Sequence, residues 1–178
     1  LNAEITVRHL FENPTVTTLE PLLRAGTARP PLVAGPRPDP LPLSYAQRRL
    51  WFMHRLEGPS ATYNIPVVTR LRGELDVPAL RAAVGDVVER HEILRTIYVE
   101  VEGEPTQRIL PADAAGVPFT EHRLTEGELD GALAAAAAEP FDLGSEPPLR
   151  VRLYSIADDE HLLAICLHHI AGDGTSMT

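Results

Sequence analysis

An α+β fold is what this sequence predicts. Helical stretches alternate with β-branched runs of strand length from about residue 44 onward, and a tight Glu-Gly turn separates two of those runs. The last strand candidate, Leu162 to Leu167, is apolar throughout, as expected for a strand covered on both faces. With 178 residues and an apolar fraction of 44%, the chain can bury a real core in one ordinary domain, or hold pieces of two.

The elements follow in order. Residues 1–25 read as two short helices. Ile5, Val7, Leu10 and Phe11 supply the first, Pro14 breaks it, and Leu19, Leu22 and Leu23 recur at helical spacing. Two such helices bury too little to fold alone, which makes them the expected tail of a domain begun upstream. Residues 26–42 carry six prolines and read as an extended, semi-rigid linker. Ser44 is placed to cap a helix over 45–56, in which Trp51, Phe52 and Met53 are expected in the core, and Gly58-Pro59 stops it. A strand over 66–71 follows. Asp76 caps the next helix, with Pro78 in its first turn and Leu80, Val84, Val87 and Val88 on its inner face. Residues 94–101 and 106–110 form an expected hairpin about Glu102-Gly103-Glu104. Then come a strand over 117–124, an alanine-rich helix over 125–139 ended by Pro140, and a strand pair over 149–156 and 161–169.

Charge and cysteine usage exclude some classes. The net charge is −9, and all 16 basic residues are Arg, which argues against nucleic acid or an anionic membrane as the partner. No apolar run approaches the roughly 20 residues that span a bilayer, and the first residues lack a secretory apolar core. Cys166, the single cysteine, lies in the apolar strand as a small hydrophobe. A cytoplasmic location is the expectation.

The apolar strand ends in His168-His169-Ile170-Ala171-Gly172-Asp173-Gly174. Successive strand side chains point to opposite faces, so one imidazole turns into the core while the other faces a different space. Burying ionisable groups without partners is costly, and the run reads as a site rather than as packing. Histidines on opposite faces are poor joint ligands, and no metal is implied.

Three segments in order resemble the condensation domains of nonribosomal peptide synthetases. Ser44-Tyr45-Ala46-Gln47-Arg48-Arg49-Leu50-Trp51 is similar to S-x-A-Q-x-R-L-W. Arg90 to Tyr98 matches R-H-E-x-L-R-T-x-F with Tyr98 in place of Phe, and the histidine run matches H-H-x-x-x-D-G in full. The resemblance implies that residues 43–178 are the truncated N-terminal lobe of a two-lobed domain. Each lobe of that family is similar to chloramphenicol acetyltransferase, a mixed or antiparallel sheet with helices, and the second lobe is missing here. Val7 to Phe11 and Asn13-Pro14-Thr15-Val16 with Leu19 look like the C-terminal end of a peptidyl carrier domain. The serine that would bear 4'-phosphopantetheine is then absent, and no cofactor is bound directly.

The activity so implied is acyl transfer: a carrier-bound acceptor amine attacks an upstream carrier-bound aminoacyl or peptidyl thioester. His169 is the expected catalytic residue, meeting the acceptor amine as base or as positioner. His168, Asp173, Arg90 and Arg95 are expected to support the loop, with Arg90 rather than Arg95 as the ion-pair partner of Asp173. Gly174 offers a backbone N–H with room for a thioester or oxyanion. Ser44 is a candidate channel-lining residue as well as a cap. Donor and acceptor carrier domains are the expected partners. The segment Gly58 to Pro66 looks like that of domains taking an L-configured donor. Epimerisation within the same superfamily is the alternative activity, and a non-catalytic docking domain is the alternative of another class. Heterocyclisation is disfavoured because that branch resembles D-x-x-x-x-D where this chain has histidines. The 178 residues alone are expected to be inactive, as part of a longer chain.

Overall fold

The computed structural model describes residues 5–25, 33, 35–116 and 118–177. Two compact units divide the chain, Leu1–Arg37 and Pro38–Thr178. In the first, α1 (Val7–Glu12) is capped reciprocally: the Thr6 hydroxyl accepts from the His9 N–H, and His9 Nδ1 accepts from the Thr6 N–H. After Pro14, α2 (Val16–Ala25) carries Pro21 within it. No residue of α1 is buried, and Val7, Phe11 and Val16 are all well exposed.

Of the expected linker over 26–42, residues 26–32 and 34 lie outside the described residues; in the second unit its end differs from expectation. Leu41–Pro42 form a short strand, β1, and Gln107 Nε2 donates to the Pro42 carbonyl at 2.8 Å. An edge strand tolerates proline, because one side of its backbone has no neighbour to bond. The helix expected after Ser44 is α3 (Tyr45–Glu57). Then follow β2 (Asn64–Arg72) and α4 (Val77–Arg90), the latter capped by the Asp76 carboxylate on the Ala79 N–H at 2.9 Å. Residues 92–95 correct the expected strand start at 94: Glu92–Arg95 is a 3-10 turn, closed by the Thr96 hydroxyl donating to the Glu92 carbonyl at 2.7 Å.

The hairpin of β3 (Thr96–Val101) and β4 (Glu104–Ile109) turns through Glu102 and Gly103, with φ of 53° and 83°. Two successive positive φ values make a two-residue loop whose twist suits the strands, and glycine takes the second without strain. A single helical turn, α5 (Ala112–Ala115), precedes β5 (Phe119–Arg123), and α6 (Glu126–Ala138) follows with a capping box between Thr125 and Glu128. The last two strands are β6 (Leu149–Ala157) and β7 (Glu160–His168).

These strands make two sheets, one ordered β1-β4-β3 and the other β2-β7-β6-β5. β7 lies between antiparallel neighbours, while β5 joins β6 in parallel, a pairing that needs the crossover supplied by α6. Helices cover both faces of the larger sheet. Leu162, Ala164 and Cys166 of β7 pack toward α6 and α3, whereas Leu163, Ile165 and Leu167 face α4. The strand is therefore closed more tightly on one face than on the other. Leu163, Ile165 and Leu167 are only half-buried, and Ile165 and Leu167 line a cavity of about 540 Å³ beside Val84 and Val87.

Arg150 on β6 fixes the segment under the strand ends. Its guanidinium lies 4.0 Å from the centre of the Phe141 ring, donates to the carbonyls of Glu139 and Pro140, and pairs with Glu146 at 2.7 Å. Only 14% of the side chain is exposed. Arg150→Ala removes the stacked cation and leaves carboxylates and carbonyls facing one another. The expected cost is about 3 kcal/mol, read as a lower urea midpoint. Arg150→Lys is expected to recover less than half of that loss, because a point charge cannot serve the planar set of acceptors. An unchanged midpoint in the Ala variant would refute the role.

Candidate active site

β7 ends at His168, and the two histidines then part. The His168 N–H donates to the Pro148 carbonyl at 2.9 Å, while the His169 N–H donates to the Tyr63 carbonyl at 2.8 Å on the other side of the strand. The side chains alternate accordingly: His168 is 1% exposed in the core, and His169 is exposed.

His168 is enclosed by rings. Phe141 meets it edge-on with centroids 5.9 Å apart, His54 of α3 does so at 6.4 Å, and Tyr63 lies at 6.2 Å. Burial pushes its imidazole down to about 4, helped by the charges of His54 and His169. It is neutral at physiological pH, and its Nδ1 accepts the Ile170 N–H at 3.1 Å, which leaves the proton on Nε2. Its chemistry is spent on holding the turn.

His169 faces a separate cavity of about 460 Å³, walled by Gln47, Arg49 and Leu50 of α3, Tyr63, Ile93 and the turn 170–173. One polar chain connects these walls. Gln47 uses its carbonyl oxygen to accept the Ser44 N–H at 2.9 Å, and its amide donates to the Tyr98 hydroxyl at 3.4 Å. Tyr98 in turn donates to the Ile170 carbonyl at 3.4 Å. Tyr98 is 2% exposed, and burial raises its ionisation well above the usual phenol range, so the hydroxyl keeps its proton.

The other expected site residues land as follows. Ser44 is the N-cap of α3, accepting the Gln47 N–H at 3.2 Å, and the cavity walls begin at Ala46 rather than at Ser44. Asp173 borders the cavity and is exposed; its carboxylate accepts the Ser176 N–H at 3.2 Å and Ser176 hydroxyl at 3.1 Å, shaping the 3-10 turn Gly174–Met177. The expected Asp173–Arg90 pair is not present among the described residues. Arg90 is exposed in the last turn of α4, where a cation suits the helix C-terminus. Arg95 is committed elsewhere: it donates to the Leu110 and Glu89 carbonyls and pairs with Glu92 at 3.8 Å. Gly174 opens that final turn, and a Cβ there would meet nothing within 4 Å. Gly172 is the more crowded glycine, since a Cβ would sit 3.1 Å from Leu167 Cδ2. Phe52, expected in the core, is 57% exposed, because α3 turns Leu50 and Trp51 inward instead.

Sequence reasoning passed over Gln47, Tyr63 and Tyr98 as site residues. The Ser-x-x-Gln spacing of the capping box was a usable signal for Gln47. For Tyr98 the signal was a hydroxyl at a position where the motif carries Phe.

The family model for the condensation domain matches residues 38–178, the whole of the second unit. The chain belongs to the condensation-domain family. A dimodular nonribosomal peptide synthase of Bacillus subtilis is 49% identical over 179 residues, covering 100% of this chain and 8% of that protein. An isonitrile lipopeptide synthase of Mycobacterium tuberculosis is 49% identical over 150 residues, or 83% of this chain and 6% of its own length. Among solved structures, the X-domain from teicoplanin biosynthesis superposes with a TM-score of 0.75 at 40% identity, covering 83% of this chain and 32% of that one. The first condensation domain of the calcium-dependent antibiotic synthetase gives 0.67 at 27% identity, covering 76% and 34%. This condensation-domain chain therefore spans a small fraction of its curated relatives and about a third of the solved ones.

Proposed function

We infer that this lobe takes part in amide-bond formation between carrier-bound substrates, with His169 at the reacting centre. The observation that carries the reading is the division of labour at the strand end. His168 is buried, neutral and used up by the backbone, while His169 is free to meet a ligand in a cavity of about 460 Å³. In the reaction, the acceptor's amine nitrogen bonds to the donor thioester carbon, the C–S bond breaks, and the amine proton passes to the leaving thiolate. His169 accepts a hydrogen bond from the attacking nitrogen and holds it in line. Residues 5–25 fit the end of a carrier domain, so that carrier, linker and condensation lobe follow one another along the chain. An L-configured donor remains part of this reading.

The resemblance to an X-domain solved in complex with OxyB favours a second reading, in which the lobe recruits a partner protein without catalysis. Epimerisation of a carrier-bound residue is the third. One experiment separates them: the intact synthetase is given loaded donor and acceptor carriers, and the carrier-bound products are released and analysed by mass and chirality. A dipeptidyl thioester supports condensation. An inverted α-carbon without chain growth overturns it in favour of epimerisation, and unchanged substrates overturn it in favour of recruitment.

A further inference from the structure

We propose that Tyr98, oriented by Gln47, is a positioning residue that fixes the His169 main chain relative to the cavity wall. The inference rests on the condensation reading above and deepens it. The backbone around His169 is held from three directions. Tyr63 takes the His169 N–H at 2.8 Å, His168 Nδ1 takes the Ile170 N–H at 3.1 Å, and the Tyr98 hydroxyl binds the Ile170 carbonyl at 3.4 Å. The first two contacts come from residues at the strand ends. Of the three, the third reaches from the other sheet, and it runs on to α3 in the cavity wall through Gln47 at 3.4 Å.

The hydroxyl is not required for packing. Tyr98 sits among Leu43, Phe141, Leu143 and Cys166, and a phenyl ring would make the same apolar contacts. A buried phenol needs a hydrogen-bond partner, and this one has a donor on one side and an acceptor on the other. The direction of that chain is set by Gln47. Its carbonyl oxygen is engaged with the Ser44 N–H, which leaves only the amide to face Tyr98. The hydroxyl must then accept from Gln47 and point its own proton at Ile170. The cap of α3 thus orients, two hydrogen bonds along, the proton that Tyr98 gives to the turn.

The direction of the bond makes the proposal testable in the intact synthetase with loaded carriers. Tyr98→Phe keeps the ring and deletes the tie. Gln47→Glu keeps the capping box, where Glu is the ordinary partner, but offers the hydroxyl an acceptor in place of a donor. The Tyr98 proton then turns from Ile170 to the new carboxylate. Each variant is expected to lower kcat for dipeptidyl formation about three- to tenfold, the range of a single net hydrogen bond. KM for the acceptor carrier is expected to stay unchanged, and the double variant is expected to be no slower than the slower single one. Wild-type kcat in Tyr98→Phe, or additive losses in the double variant, would overturn the proposal. Should Tyr98→Phe fail to fold, the hydroxyl is structural, the proposal falls, and Gln47→Glu still reports whether bond direction affects kcat. His169→Ala is run beside them. If it retains full turnover, the condensation reading itself has failed; if it is inactive while Tyr98→Phe is normal, only the positioning role has.

Discussion

Replacing His169 by Ala is expected to lower dipeptidyl product formation at least about 100-fold while leaving carrier affinity unchanged. The magnitude follows from the proposed role: alignment of nitrogen and thioester carbon can supply several kcal/mol, and a 100-fold loss is about 3 kcal/mol. Carrier affinity should hold, because His169 faces the cavity and its main-chain hydrogen bond to Tyr63 does not depend on the side chain. The assay is single-turnover transfer between two loaded carriers, with carrier binding measured separately. Turnover at the wild-type rate would remove His169 from the reaction.

A second substitution separates the two roles open to this residue. A free α-amine loses its proton near pH 7.7–8.0, so freeing the nucleophile at pH 7 costs only about 1 kcal/mol. Little is gained from a base at that step, whereas alignment of nitrogen and thioester carbon can supply several kcal/mol. His169→Gln, which can still accept a hydrogen bond but cannot take a proton, is therefore expected to retain more activity than His169→Ala. Equal inactivity of the two variants would assign proton transfer, rather than alignment, as the main contribution.

Much of the scaffold was legible because its signals are local. Ser44 with Gln47, Asp76 with Ala79 and Thr125 with Glu128 announce three helices by capping chemistry that depends on residues at most three apart. The opposite fates of His168 and His169 follow from strand alternation alone. The missed features depend on what meets what across the fold. Residues 94 and 95 continue an apolar, strand-like run, yet Arg95 reaches the Leu110 and Glu89 carbonyls and holds a 3-10 turn there. Leu41–Pro42 read as linker because prolines surround them, and only the partner strand makes them an edge. The parallel pairing of β5 with β6 leaves no mark in either strand's residues. Within the site, the motif fixes an acid after the histidines but does not announce that Asp173 bonds the N–H and hydroxyl of Ser176, three residues on. Tyr98 stands where the motif carries Phe, and its ring is buried in the core. The hydroxyl's two partners lie 51 and 72 residues away in sequence.

The protein is expected to lose stability between pH 6.5 and about 4 through His168. In the unfolded chain an imidazole takes up a proton near pH 6.5, whereas in the fold burial holds this one neutral down to about 4. The unfolded state therefore binds more protons throughout that window. The stability conferred by keeping His168 neutral is fully present above about pH 6.5 and is lost as pH falls toward 4, to a total on the order of 3 kcal/mol. His54, whose imidazole is also lowered by burial and faces the His168 ring at 6.4 Å, adds to the loss with the same sign. Asp142, held below its ordinary range by hydrogen bonds from Ser145 and Gly144, contributes only below about pH 4, where its unfolded form protonates. Glu128 and Glu160, held below the ordinary carboxylate range by hydrogen bonds from Thr125 and Arg70, add losses of the same sign only toward about pH 4.5, so the histidine effect is read above about pH 5.5. Urea midpoints taken at steps from pH 7 to 4.5 should fall steadily, and the turn around His169 should fail with them, since the protonated Nδ1 can no longer accept the Ile170 N–H. His168→Leu should start from a lower midpoint at pH 7 and show a much flatter dependence. A wild-type midpoint that does not move between pH 6.5 and 4.5 would mean that His168 takes up its proton in the fold as readily as in the unfolded chain, and its role as the neutral brace of the turn would be withdrawn.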